Sequence, residues 1–349
     1  MVLLRDSIPM VALAVTAAAL YARMASAFLR PGLPRLAAVL PVVVLLAVAP
    51  FACTSSAVLR GTAAFFLAWL CAFKVVLLAV GLGPLDVDGL PLLPFLFTAL
   101  LPVKLRRRGG RPGAAGAAAS EVKSVSLVSC AAKVAVIAAI LHLYGSKIQL
   151  LHRYVRLVLY GIHIYCFLDL LLPCIAAAGA ALGMEMEPPF DRPYLASSLR
   201  DFWGRRWNLV VSAILRPSVY DPVSARAGKE AGVLAAFLVS GLMHEAMVYY
   251  VTLRPPTGEM AAFFLLHGAC CVAEEWCARR WAARGWPRTP RPLATLLVVV
   301  VVASSSFWLF FPPICRKGGE EMLLDEWAAL AAFFQDAGRK LFRCGSRIN

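Results

Sequence analysis

Long apolar runs separated by short polar, mostly basic connections dominate this chain. They lie near residues 8–29, 35–54, 60–83, 123–145, 154–183, 227–253, 259–281 and 292–315. Each approaches or exceeds the ~20 residues an α-helix needs to cross hydrocarbon. A further stretch, 90–103, is shorter and interrupted by Pro91, Pro94 and Pro102. It reads either as a short span or as a re-entrant segment, so the pattern predicts eight or nine spans. The first run lacks a small-residue cleavage site and is long enough to span, which predicts a retained signal anchor. Residues 104–122 are basic and rich in Gly and Ala, the composition of a flexible cytosolic loop. In 320–344, Leu323, Leu324, Trp327, Leu330, Ala331 and Phe334 recur at helical spacing opposite an acidic face. This predicts an amphipathic helix lying at the interface or packed on the bundle. The expectation is an all-α integral membrane protein forming a single domain over 1–349, a polytopic bundle of about 8–9 transmembrane helices with a cytosolic amphipathic helix.

Composition agrees. Of 349 residues, 60% are hydrophobic and only 16% charged, against roughly a quarter charged in soluble domains, and the mean hydropathy is +0.73. The net charge of +15 does not point to nucleic acid, because Lys and Arg fall in loops between apolar runs as the positive-inside rule expects. Nine spans with a cytosolic N-terminus bring Lys104–Lys123, Arg192–Lys229 and Arg279–Arg291 to the cytosol, and Asp86 and Asp88 to the opposite side. The tail, with Arg316, Lys317, Arg339, Lys340, Arg343 and Arg347, then falls on the lumenal side, against the rule. The ten cysteines are scattered, Cys71, Cys130 and Cys166 among them within apolar runs. None has zinc-site spacing, and no metal is expected.

Two segments carry candidate chemistry. In 194–216, Leu195, Leu199, Phe202, Trp203, Val210, Val211, Ile214 and Leu215 form one apolar stripe, with Ser197, Asp201, Gly204, Arg205, Asn208 and Ser212 opposite. This predicts one amphipathic helix at the cytosolic interface, with Asp201 and Arg205 paired at i, i+4. Its plain reading is an interfacial helix whose tryptophans belong to an aromatic belt. Arg200, Arg205, Arg206 and Arg216 around Asn208 favour a phosphate-bearing ligand, because guanidinium forks match phosphate oxygens. In 231–253, Ser240 and His244 lie one turn apart, as do Gly241 and Glu245, so the four share one face and Gly241 is expected to clear space beside His244. Ionisable groups within a span cost roughly 3 kcal/mol on insertion scales and default to a functional reading. The alternative makes His244 a satisfied interhelical hydrogen bonder. HEAMV is not a zinc-protease motif, since position 248 is Val. His142, His152, His163 and His267 lack ligand-like spacing and read as structural.

The blocks RPYLASSLRDFWGRRWNLVVSAILRPSVYDPV and FLVSGLMHEAMVYY, covering about 192–253, resemble the signature regions of plant wax synthases. These long-chain-alcohol O-fatty-acyltransferases belong to the membrane-bound O-acyltransferase superfamily. The resemblance implies a multi-pass endoplasmic-reticulum membrane enzyme that moves a fatty acyl group from acyl-CoA to a long-chain fatty alcohol. It assigns the active centre to Asn208 and His244. Gly204, Arg205 and Arg206 follow the wax-synthase version, although some plant relatives of this type use sterols. The chemistry suits the residue types: neutral His can take the hydroxyl proton, and the Asn208 carboxamide can donate to the oxyanion. Glu245, Ser240 and Trp207 stand as possible supports. Arg200, Arg205, Arg206, Trp203 and Arg216 are the residues expected to bind acyl-CoA, with both lipid chains entering from the membrane. Without a Ser or Cys nucleophile motif, transfer is expected to be direct, with acyl-CoA as co-substrate and no cofactor. A reading from another class is a membrane lipid transporter or binding protein that uses His244 as a proton relay. Inverted repeats would favour it, and the sequence has none.

Overall fold

The computed structural model describes residues 8–86, 89–105, 127–146, 148–287 and 289–345. The protein is an all-α, polytopic membrane protein. Seven of its described helices are long and apolar enough to cross a bilayer: α1 (Ile8–Phe28), α2 (Leu33–Ala52), α3 (Ala57–Ala79), α6 (Arg153–Ala181), α10 (Lys229–Thr252), α11 (Glu259–Ala283) and α12 (Arg291–Cys315). Between α3 and α6 lie α4 (Leu92–Leu100) and α5 (Leu127–Ser146). Short helices α7 (Leu199–Asp201), α8 (Leu209–Leu215) and α9 (Asp221–Ala227) follow α6, and α13 (Gly319–Gly345) ends the chain. The described apolar part of α5, Val128–Tyr144, falls below spanning length. Two compact units emerge, 1–108 with 172–313 and 109–171 with 314–349.

In the first unit the buried charged side chains close helix ends. Arg35 donates to the carbonyls of Ser26 and Leu29 at the end of α1 and of Leu78 at the end of α3. Arg60 donates to Tyr250 and Val251 at the end of α10. Lys74 donates to Thr98 and Leu101 at the end of α4, at 2.6 and 2.7 Å. The anion, Glu245, sits instead at the start of α11. Helix ends leave unpaired carbonyls and N–H groups with partial charge of matching sign, so each ion meets its complement within the apolar interior.

The stretch 90–103 does not span. Its helix has nine residues, about 13 Å at 1.5 Å per residue, and Lys74 closes its far end. α3 and α10 run antiparallel: Arg60 lies beside Tyr250, Trp69 beside His244, and Leu77 in a core with Val210 and Ile214. The chain leaving α3 is therefore at the end of the bundle that holds residues 184–228. It returns to that same end after α4, where Lys104 pairs with Glu187 and Leu105 bridges Met186. This corrects the nine-span arrangement. Asp86, near the Arg35 guanidinium (3.7 Å), is on the side of Lys104 rather than opposite it, and three crossing helices put the start of α1 at the other end. Asp88 and residues 106–122 of the basic loop lie outside the described residues.

In the second unit α5, the first part of α6 and α13 share a core of Ile140, Tyr144 and Ile148 with Leu324 and Trp327. The helix expected over 320–344 thus packs through part of its apolar face. His163 bonds the Tyr144 hydroxyl (3.0 Å) and Lys133 pairs with Asp169 (2.8 Å). The His163 Nε2 is buried and has no hydrogen-bond partner among the described residues.

Candidate active site

Residues 194–216 do not form one helix. The Ser198 hydroxyl caps α7 by accepting from the Asp201 N–H (2.9 Å), and the Glu274 carboxylate accepts from the N–H groups of Leu199 and Arg200. A wide, π-type turn follows over Phe202–Arg206, closed by Trp207 N–H donating to the Phe202 carbonyl five residues back. That extra residue moves the ion pair: Asp201 meets Arg206 at 2.6 Å, five positions on, instead of Arg205. The chain then breaks. Trp207 is extended, and Asn208 adopts the left-handed conformation (φ 43°, ψ 66°) while its Oδ1 accepts from Val211 N–H (3.4 Å) to cap α8. Asn tolerates this backbone and is a strong N-cap. Its Nδ2 carries no hydrogen bond among the described residues.

His244 lies on α10 in an aromatic cage. Phe264 stacks on it (centroids 4.1 Å, 29° between planes), Trp69 meets it edge-on (5.0 Å, 78°) and Phe310 lies at 6.2 Å. Its Nδ1 bonds the Ser240 carbonyl at 2.7 Å. A carbonyl only accepts, so Nδ1 carries the hydrogen and the Nε2 lone pair of the neutral ring is left without a partner among the described residues. Ser240 thus serves His244 through its backbone.

Glu245 and Gly241 act elsewhere than beside the imidazole. The Glu245 carboxylate, 5% exposed, accepts from Thr257, Met260 and Ala261 N–H groups at 3.2, 2.8 and 3.2 Å, anchoring the first turn of α11. A Cβ on Gly241 would lie 2.8 Å from the Ala261 Cα, so this glycine clears space for the backbone of α11 rather than for His244.

His267, with no exposed surface, joins three elements. The Trp203 indole N–H donates to its Nδ1 (3.0 Å), and its Nε2–H donates to the Ser305 hydroxyl (2.8 Å), which donates to the Val301 carbonyl (2.6 Å). Trp203 is therefore turned inward, against Phe237, Phe263 and Phe264, away from any surface phosphate. Trp207 stacks on Phe202 (5.5 Å, 14°). No hydrogen bond or ring contact joins Asn208 to His244 among the described residues. The link between them runs through α8, whose Val210 and Ile214 pack on Trp69.

The arginines divide into two sets. Arg200 pairs with Glu275 (2.9 Å) and Arg216 with Asp221 (3.6 Å). Arg205 and Arg206 line a polar cleft of about 360 Å³ together with Leu195, Ser197, Ser198, Asp201, Arg291 and Thr295. Asp201 is taken by Arg206, whereas Arg205 and Arg291 carry no counter-ion among the described residues. Trp69, His267 and Arg291 were not legible as site residues in the sequence, because each looks like core or loop until the helices assemble. No group of three or more His, Cys, Asp or Glu able to hold a metal occurs among the described residues.

Comparison with known proteins places this site in context. Residues 186–266, which hold Asn208, His244 and Glu245, match the membrane bound O-acyl transferase family. The chain is 37% identical over 320 residues to acyl-CoA–sterol O-acyltransferase 1 of Arabidopsis thaliana, covering 89% of this chain and 91% of the relative. It is 38% identical over 263 residues to probable long-chain-alcohol O-fatty-acyltransferase 1 of the same plant, covering 73% and 76%. It is 39% identical over 268 residues to the long-chain-alcohol O-fatty-acyltransferase of Simmondsia chinensis, covering 74% and 76%. The chain belongs to the membrane-bound O-acyltransferase family and is homologous to the plant long-chain-alcohol and sterol O-acyltransferases.

Proposed function

We propose that this protein transfers a fatty acyl group from acyl-CoA to a long-chain fatty alcohol, forming a wax ester in the endoplasmic-reticulum membrane. The observation that carries the reading is His244, a neutral imidazole with one nitrogen fixed by Ser240 and the other unengaged among the described residues, inside an apolar cage. Nε2 takes the hydroxyl proton as the alcohol oxygen attacks the thioester carbon. The carbon–oxygen bond forms, the carbon–sulfur bond breaks, and the thiolate leaves with that proton as free CoA. The Asn208 Nδ2 is the proposed amide donor to the oxyanion. The cleft of Arg205, Arg206 and Arg291 receives the phosphates of CoA from the cytosolic side. Fifteen residues separate Lys229, at that end of α10, from His244, about 22 Å of helix, a depth suited to the extended pantetheine arm. Basic segments facing the cytosol then leave the N-terminus lumenal.

Two further readings have support. A sterol acceptor is favoured by the sterol acyltransferase relative, whose match covers more of the chain than the wax-synthase matches do. His267 is the competing base, as a fully buried histidine beside the same aromatic cage. Both its nitrogens are engaged, so that role requires Trp203 to release Nδ1. Purified protein in lipid nanodiscs, given labelled acyl-CoA with a panel of fatty alcohols, sterols and diacylglycerol, tests all of these. Ester from fatty alcohol, lost in His244→Gln and retained in His267→Gln, is expected. The reverse pattern moves the base to His267. Acyl-CoA or alcohol binding without any product overturns the enzyme reading in favour of a lipid carrier.

A further inference from the structure

Trp69 lies in the middle of α3, is 1% exposed, and its indole N–H has no hydrogen-bond partner among the described residues. Buried donors are nearly always satisfied, and one that is not calls for an explanation such as an absent ligand or solvent molecule. Its neighbours offer no acceptor: Phe65 lies edge-on at 5.5 Å, and Leu70, Val210, Ile214, Met243 and Met247 complete an apolar surround. The one polar ring against it is His244, whose own Nε2 is unengaged among the described residues. An unpartnered indole donor and the unengaged imidazole nitrogen thus belong to two rings in edge-on contact at 5.0 Å.

The backbone beneath Trp69 is also unusual. Residues Ala64–Cys71 form a π-type stretch within an otherwise α-helical span. Such distortions recur at functional sites, since they turn side chains out of α-helical register. No proline lies in that stretch to force one.

We propose that Trp69 is a catalytic residue, its Nε1–H donating to the carbonyl oxygen of the acyl thioester. The proposal rests on the reading of His244 as base. As the alcohol oxygen bonds to the carbonyl carbon and its proton passes to His244 Nε2, the carbonyl π pair moves onto the oxygen, where the indole N–H stabilises it. When the pair returns, the carbon–sulfur bond breaks and the proton on His244 goes to the departing thiolate. A donor fixed by packing before the reaction stabilises such charge without reorganising.

The test compares wild type, Trp69→Phe, and protein carrying a benzothienyl analogue of tryptophan at position 69, which keeps the ring shape and lacks the N–H. Both substitutions are expected to lower kcat on the order of 10²-fold, with the KM for acyl-CoA within a few-fold of wild type. Near-normal kcat for the benzothienyl protein overturns the proposal and makes Trp69 a packing residue. Loss through Phe alone, with the analogue active, does the same. A second readout is independent of turnover. In the His244→Ala background, the carbonyl stretch of bound ¹³C=O acyl-CoA should lie at lower wavenumber than in the His244→Ala, Trp69→Phe double variant. Equal stretches refute the hydrogen bond. His244→Ala with wild-type turnover sinks the base reading and this proposal with it, whereas an inactive His244→Ala beside fully active Trp69 variants sinks the donor alone.

Discussion

Asn208 has two competing explanations, and three substitutions separate them. Its backbone is left-handed and its side chain caps α8, either of which already favours asparagine. Asn208→Ala keeps the Cβ already present but loses the local side-chain hydrogen bonding that lets Asn adopt the left-handed region, at most about 1–2 kcal/mol, and removes the cap at typically about 1 kcal/mol. The structural cost of alanine is thus at most about 2–3 kcal/mol. Glycine adopts this backbone freely and loses only a few tenths of a kcal/mol at the cap. Aspartate keeps the cap oxygen and tolerates the conformation. If the Asn208 amide also stabilises the oxyanion, all three variants lose a donor worth roughly 10²–10³ in kcat. Thermal melting of the nanodisc-embedded protein gives the first quantity, and ester formation per folded molecule gives the second. The expected result is a melting order with Ala lowest and Gly and Asp close to wild type, while kcat falls in all three. Gly and Asp variants with near-normal kcat would refute the donor role and leave Asn208 as a cap. A Gly variant as unstable as Ala would refute the conformational argument itself.

Three other substitutions have distinct expected outcomes. Glu245→Gln should destabilise the fold by about 1.5–3 kcal/mol through the loss of charge-assisted bonds to the start of α11, with kcat per folded molecule nearly unchanged. A collapse of kcat without loss of melting temperature would show that Glu245 acts on His244. Gly241→Ala should cost about 1–3 kcal/mol by overpacking α10 against α11, again read by melting. Arg205→Ala and Arg291→Ala should each raise the KM for acyl-CoA at constant kcat, with the difference from wild type narrowing as added salt screens the exposed charges.

Most spans were legible because hydropathy over about twenty residues is a strong signal. The runs near 8–29, 259–281 and 292–315 became Ile8–Phe28, Glu259–Ala283 and Arg291–Cys315. Composition leaves the run 90–103 open between a short span and a re-entrant segment, because it does not reveal that Lys74, from another helix, closes its helix after nine residues. Periodicity failed over 194–216 for a related reason. It assumes a constant 3.6 residues per turn, and the wide turn at Phe202–Arg206 and the left-handed Asn208 break that register. His244 stood out because an ionisable group in an apolar run is costly. Trp69 and His267 did not, since an indole looks like core and a histidine's partners, here Trp203 and Ser305, lie on other segments. Glu245 was legible as a possible support for His244, and in the structure its carboxylate bonds the start of α11. Adjacent helix positions diverge by about 100°, which turns its carboxylate from His244 toward α11.

The same constraints explain why the chemistry concentrates where it does. An apolar bundle tolerates buried charge only against opposite charge, and Arg35, Arg60, Lys74 and Glu245 each find it at a helix end. Of the two imidazoles in this unit, His267 is bonded at both nitrogens, which ties Trp203 to α11 and α12. That leaves the Nε2 of His244 as the unengaged imidazole nitrogen among the described residues of this unit. The helices here depart from regular geometry: π-type stretches at Ala64–Cys71 and Ser306–Phe310 carry Trp69 and Phe310, which lie against His244, and one at Phe202–Arg206 carries Trp203, which lies against His267. Each wide turn adds a residue to the local register and so rotates the next part of its helix by about 100° relative to a regular one. A straightened α3 could not hold Trp69 against His244 while also keeping Arg60 on the end of α10 and Lys74 on the end of α4. The irregular turns reconcile fixed helix-end anchors with the packing of Trp69 and Phe310 on the His244 ring.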